Sequence, residues 1–184
     1  MRRALVVCPG RGSYDRAALG QLANRSADAT AVLDACDAHR TANGRKTVRE
    51  LDAAEAYRST LHVAGENASL LTFACGMADL AELNATYDVV GVTGNSMGFY
   101  TALAASGALS LADAIALVDT MGAYQQGNVI GGQILYPMTN DAWATDPGRR
   151  AGVEQALQTV REAGHTADWS IELGGYAVLG ADKP

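Results

Sequence analysis

The sequence is short of charge, aromatic rings and cysteine, and each shortage removes a class of protein. Charged residues are 18% of 184, and the net charge is -6. An acidic surface repels the phosphates of nucleic acids and the headgroups of anionic membranes, so neither is an expected partner. No apolar run approaches the ~20 residues that cross a bilayer. The opening MRRALVVCPGRG has the basic start of a signal peptide, but its apolar run, Ala4 to Cys8, is shorter than the roughly 7 to 15 residues such a signal needs. Cys8, Cys36 and Cys75 are odd in number, far apart and without the paired spacing of metal sites. Reduced thiols in the cytoplasm, and no metal, are the expectation. Neither G-x-G-x-x-G nor a glycine-rich loop closed by Lys-Ser/Thr occurs, so no dinucleotide or P-loop cofactor is implied.

What is present suits one α/β domain with a sizeable core and a small appendage. Ala4 to Cys8 reads as a buried, central parallel strand that ends in the loop PGRGS. Helical patterns follow from Tyr14 to His39, with Ser26 as a cap, and in part from Val48 to Val63; the intervening HRTANGRKT reads as a polar loop. GENASLLTFACGMADLAEL is an apolar helix that Asn67 is placed to cap. Val89 to Thr93 is a second parallel-type strand, followed by a helix from Met97 and another capped by Ser110. After Gly127 the pattern changes to strand, helix opened by Asp146, and two strands around Gly174 and Gly175, the first part of a ferredoxin-like unit. The expected domains are 1–126 and 127–184.

The chemistry centres on GNSMG, residues 94–98, where a strand gives way to a helix. A G-x-S-x-G match is weak by itself in a chain rich in glycine and alanine, but in this context it describes a nucleophile elbow. The turn exposes the Ser96 hydroxyl, the glycines let backbone pass close by, and the Met97 N–H at the helix N-terminus faces a developing oxyanion. The bland alternative is that Ser96 caps the helix, which requires no flanking glycines. A serine nucleophile also needs a base. His39 falls in the polar loop, His62 on a helix and His165 after the late helix, and each reads better as a surface or half-buried residue. Asp113, Asp119 and Asp141 read as helix-surface or loop carboxylates.

VVCPGRGS, GENASLLTFACGMADL and GNSMGFYTALAASGALSLADAIALVDTMG together resemble the malonyl-CoA:acyl-carrier-protein transacylases and the acyltransferase domains of polyketide synthases. The resemblance is clear over residues 4–126 and looser over 127–184. It implies an α/β-hydrolase-like core with a parallel sheet and a ferredoxin-like α+β subdomain, here incomplete. It also implies ping-pong transfer: Ser96 takes an acyl group from coenzyme A as an ester, and the pantetheine thiol of an acyl carrier protein removes it. Coenzyme A is then a substrate, with no cofactor required. By position the resemblance assigns the oxyanion hole to the N–H groups of Met97 and Arg11, and substrate contacts to Asn95, Met121 and Gly10.

Several residues depart from that family. Asn95 stands where it has histidine, Arg11 where it has glutamine, and Met121 where it has the arginine that holds a malonyl carboxylate. Met121 favours an acyl group other than malonyl, whereas Arg11 offers a cation from another side. The family's general-base histidine is expected beyond Pro184. A carrier-protein acyl hydrolase on the same fold and a non-catalytic carrier-binding module are the competing readings; a generic esterase is weaker. Arg149, Arg150 and Arg161 are candidates for a basic patch facing an acidic carrier protein, against the plainer reading of a solvated helix face.

Overall fold

A computed structural model describes residues 2–83, 86–125, 128 and 131–182. The chain divides into two compact units, Met1–Gly127 and Asn128–Pro184.

In the first unit, strand β1 (Arg2–Cys8) leads through two 3-10 turns to α1 (Ala27–Ala42), α2 (Val48–Asp52), α3 (Ser59–His62) and α4 (Gly65–Leu83). Strand β2 (Tyr87–Gly94), α5 (Met97–Ala105) and α6 (Leu111–Gln125) follow. β1 and β2 pair in parallel, with Val6 opposite Val92 and Cys8 opposite Gly94. Three of these helices start at capping side chains. Ser26 accepts from Ala29 N–H, Thr47 and Glu50 form a reciprocal capping box, and Ser110 accepts from Asp113 N–H. α4 is the central pillar: Leu70, Leu71, Phe73, Ala74 and Ala78 are buried among Leu33, Cys36, Val48, Leu51, Ile115 and Val118.

Four sequence expectations change here. β1 pairs with parallel geometry but is not a buried strand: Leu5 and Val7 are 64% and 69% exposed, because α5 packs on the two strands and no described residue covers their other face. His39 lies in the last turn of α1, which runs as far as Ala42 into the stretch read as a loop. Asn67 does not cap α4; it sits inside the helix, accepting from Arg40 and donating to the Leu61 carbonyl. Asp119 is no surface carboxylate but is 4% exposed, facing Arg40, Arg45 and His39.

The second unit comprises β3 (Gly131–Pro137), α7 (Pro147–Glu162), β4 (Ala167–Glu172) and β5 (Tyr176–Asp182). Asp146 caps α7 through Gly148 and Arg149 N–H, and Pro147 opens it. The strands form an antiparallel sheet in the order β3-β5-β4, so the last strand lies between the two that α7 connects. Val153 and Leu157 of α7 pack on Met138, Ala167 and Ala177. The three arginines considered for a basic patch are neutralised within the unit. Arg149 faces Asp146, Arg150 faces Glu154 and Glu172, and Arg161 faces Asp168. Among the described residues no helix is long and apolar enough to cross a membrane.

All three cysteines are free and buried. Burial pushes the Cys36 and Cys75 thiols up to about 12. Their folded pKa values lie above the ordinary thiol value, so the native state keeps protons that the unfolded chain releases. The resulting stability is complete below the ordinary thiol pKa and is lost as pH rises towards 12. The unfolding free energy is expected to fall over that window by about 1.4 kcal/mol per pH unit for each thiol. Urea titrations at several alkaline pH values measure the slope. Iodoacetamide at pH ~8 should spare both thiols in the folded protein and modify them once it is unfolded.

Candidate active site

The junction between β2 and α5 is built by two glycines that no other residue can replace without movement. A methyl on Gly94 would lie 2.1 Å from the Gly98 carbonyl oxygen, and one on Gly98 would lie 2.2 Å from the Cys8 carbonyl oxygen. The end of β1, the end of β2 and the first turn of α5 therefore meet with only hydrogen atoms between them. Between the glycines, Ser96 has φ 54° and ψ -127°, a positive φ outside the left-handed helical well and strained for a residue with a side chain. Its N–H donates to the Asn95 side-chain oxygen at 2.9 Å, which locks the turn. The Ser96 side chain makes no capping hydrogen bond, so the helix-cap reading falls. The hydroxyl is exposed at the positive end of α5 and has no hydrogen-bond partner among the described residues.

Opposite this turn, β1 ends in a short 3-10 turn, Arg11–Ser13, preceded by Gly10. The Thr72 hydroxyl of α4 donates to the Arg11 carbonyl at 3.4 Å and ties this loop to the central helix. The N–H groups of Arg11 and Met97 have no acceptor among the described residues. Ser96, Met97 and Arg11 line one cavity of about 320 Å³, together with Gly12, Ser69, Tyr100, Val118, Met121 and Gln125. The cavity thus combines an exposed hydroxyl with two unengaged amides, an arrangement able to hold a carbonyl carbon beside a nucleophile and its oxygen beside donors.

Of the residues singled out in the sequence, Ser96, Met97, Arg11 and Met121 come together around this cavity. Gly10 and Asn95 adjoin it in sequence but do not line it; the Asn95 side chain is engaged by the Ser96 amide. Ser69, Tyr100, Val118 and Gln125 were not singled out. Gln125 carried a usable signal, one helical turn after Met121 and so on the same face of α6. Ser69 carried none, lying within a helix whose every turn is apolar.

No histidine of the described residues bonds to Ser96. His39 Nε2 lies 3.2 Å from Asp119. His62 is buried, stacked between Tyr14 and Tyr57, with its ring nitrogens on the backbone of Arg58 and Leu51. His165 belongs to the second unit, 3.6 Å from Asp182.

This arrangement of a parallel pair, an elbow-like serine turn and an antiparallel α+β unit is the fold of acyl-carrier-protein acyltransferases. The chain is similar over its whole length to the acyl-carrier-protein S-malonyltransferase of Burkholderia pseudomallei 1710b, at 24% identity and TM-score 0.74, matching 56% of that chain. It is similar at 19% identity and TM-score 0.75 to a loading acyltransferase of the avermectin modular polyketide synthase, covering 97% of this chain and 54% of that one. A malonyl-transacylase solved in complex with a type II polyketide acyl-carrier protein matches all of this chain at 19% identity and TM-score 0.74. The chain therefore spans about half the length of these structures. No family model matches the sequence, and no curated protein matches it.

Proposed function

We propose that the protein is an acyltransferase that moves a malonyl or other short acyl group from coenzyme A, through an ester on Ser96, to an acyl carrier protein. The observation that carries this reading is the strained Ser96, its hydroxyl in one cavity with the unengaged N–H groups of Met97 and Arg11. Strain persists at a residue only where the surrounding structure imposes it, and it clusters at functional turns.

In the first half-reaction the Ser96 oxygen attacks the thioester carbonyl while a base takes its proton. The carbonyl oxygen becomes an anion between the two amides, and collapse breaks the C–S bond and releases the coenzyme A thiol. In the second half the carrier protein's pantetheine thiol attacks the seryl ester, forming the new thioester and returning the proton to serine. Removing one such amide donor typically costs about 10²- to 10³-fold in rate. We place the base outside the described residues. The core is read as α/β-hydrolase-like, since a strand, an elbow serine and a helix succeed one another in that order. The second unit is read as ferredoxin-like, since its last strand inserts between the two joined by α7. The complex of a similar transacylase with its carrier protein supports that partner. The reading requires no dissociable cofactor, and the free thiols support a cytoplasmic setting.

The test is to incubate the protein with malonyl-CoA, measure intact mass and map the adduct by peptide digestion. An acyl group on Ser96 that moves to added holo-acyl-carrier protein is the expected result. Release of free acid instead makes the protein a hydrolase, and a protein that takes up no acyl group refutes both.

A further inference from the structure

We propose that Arg11 selects the acyl group by pairing its guanidinium with a carboxylate on the acyl chain, at the end of the cavity formed with Ser69 and Gln125. The inference rests on the seryl-ester reading above and adds to it the residue that reads the substrate.

The carboxylate partners of the other arginines make Arg11 stand out. In the first unit the other buried or half-buried arginines each face one: Arg25 faces Asp79 and Glu82, Arg40 and Arg45 face Asp119, and Arg49 faces Asp34 and Asp37. Arg11 is also half-buried, yet its side-chain partner among the described residues is the neutral Gln125 oxygen. A half-buried cation with no counter-charge is costly unless something brings one. Its position raises that cost. Nη1 of Arg11 is 3.1 Å from where a Gly65 Cβ would stand, which puts the guanidinium at the first residue of α4, the positive end of a helix of 19 residues. An anion there satisfies the guanidinium and the helix end at once.

An independent observation comes from Ser69. It is 4% exposed, lines the same cavity, and its hydroxyl has no hydrogen-bond partner among the described residues. A Cβ on Gly122 would lie 2.8 Å from this hydroxyl and 2.5 Å from the Gly65 carbonyl oxygen, so the guanidinium and the hydroxyl meet where α4 and α6 cross. Glycine at 65 and 122 lets the two helices approach this closely beside the guanidinium and the hydroxyl. The Ser69 hydroxyl opens on the cavity and is free to donate to a group bound there. The remaining lining, Val118, Met121 and Tyr100, gives apolar walls between Ser96 and this polar corner. Such a pocket fits an acyl chain that is thioester at one end, methylene in the middle and carboxylate at the other. Met121 then acts as wall, not as a sign that the acyl group is uncharged.

The experiment measures binding to the Ser96→Ala chain, which cannot be acylated, of malonyl-CoA and isovaleryl-CoA. The two acyl groups share a shape, with an isopropyl group replacing the carboxylate. A preference for malonyl-CoA of about 10- to 100-fold is expected, as for hydrogen bonds to a charged group. Adding Arg11→Gln should collapse the ratio towards 1, and Arg11→Lys should keep part of it. Malonyl and isovaleryl thioesters of N-acetylcysteamine, which lack the nucleotide phosphates, should show the same ratio. Equal binding of the two CoA esters, or a ratio that survives Arg11→Gln, overturns the assignment. An equal loss of both esters in Arg11→Gln puts the guanidinium on the nucleotide phosphates and overturns it as well. Binding of neither ester sinks the acyl-thioester reading itself, and this inference with it.

Discussion

Ser96→Gly is expected to give a protein more stable than Ser96→Ala by about 1 kcal/mol, with both variants losing acyl transfer by roughly 10⁶-fold. The two effects have separate origins. On the proposed mechanism, loss of the hydroxyl removes the atom that takes the acyl group, and no neighbouring group replaces it. Ser69 lines the same cavity but lies on a buried helix without an elbow to present it. The stability difference comes from the backbone. At φ 54° and ψ -127° any Cβ is strained, by about 1 to 3 kcal/mol, and alanine keeps it while glycine does not. Glycine gives back about 0.5 to 1 kcal/mol through the greater freedom of its unfolded chain, which leaves a net gain near 1 kcal/mol. Urea unfolding of both variants checks the difference, and turnover with malonyl-CoA and holo-carrier protein checks the loss. Equal stability of the two would mean that Ser96 is not held under strain.

That turn was legible in the sequence because its constraints are local. Gly94 and Gly98 must be glycine for contacts formed within a strand-turn-helix of five residues and with the end of β1, so a short motif carries the geometry. The caps at Ser26, Ser110 and Asp146 were legible for the same reason, each acting over two or three residues. Long-range charge was not. Asp119 carries the same polar signature as the exposed Asp113 on the same helix, and only the packing of α1 against α4 and α6 separates them. Asn67 was placed as a cap because its type suits one. An arginine from 27 residues earlier claims its oxygen instead. Ser69 came to line the cavity through the crossing of α4 and α6, which no sequence spacing shows.

Asp119→Ala is expected to destabilise the first unit by about 3 to 5 kcal/mol, the usual result of removing one partner from a buried ion pair. Arg40 is 1% exposed and Asp119 4%. Burial pushes the Arg40 pKa down and the Asp119 charge opposes this, so the carboxylate is what allows the guanidinium to stay ionised inside. Arg40 also donates to the Lys46 carbonyl, to the Glu66 carbonyl at 2.7 Å and to Asn67 at 2.7 Å, joining the end of α1 to the first turn of α4. Asp119 brings α6 into the same cluster, two residues before Met121. Without it, the charge has no outlet short of local unfolding. The melting temperature should fall by about 10 °C for a chain of this size. A double variant, Arg40→Met with Asp119→Leu, should recover part of the loss, because apolar replacement of a buried pair is often neutral. Recovery stays partial, since the Glu66 and Lys46 carbonyls and Asn67 lose their donor. The corner that Ser69, Gln125 and Arg11 share lies on the same two helices, so Asp119→Ala measured below its melting point should also weaken malonyl-CoA binding. A variant as stable as the wild type would show that Arg40 needs no counter-charge from Asp119.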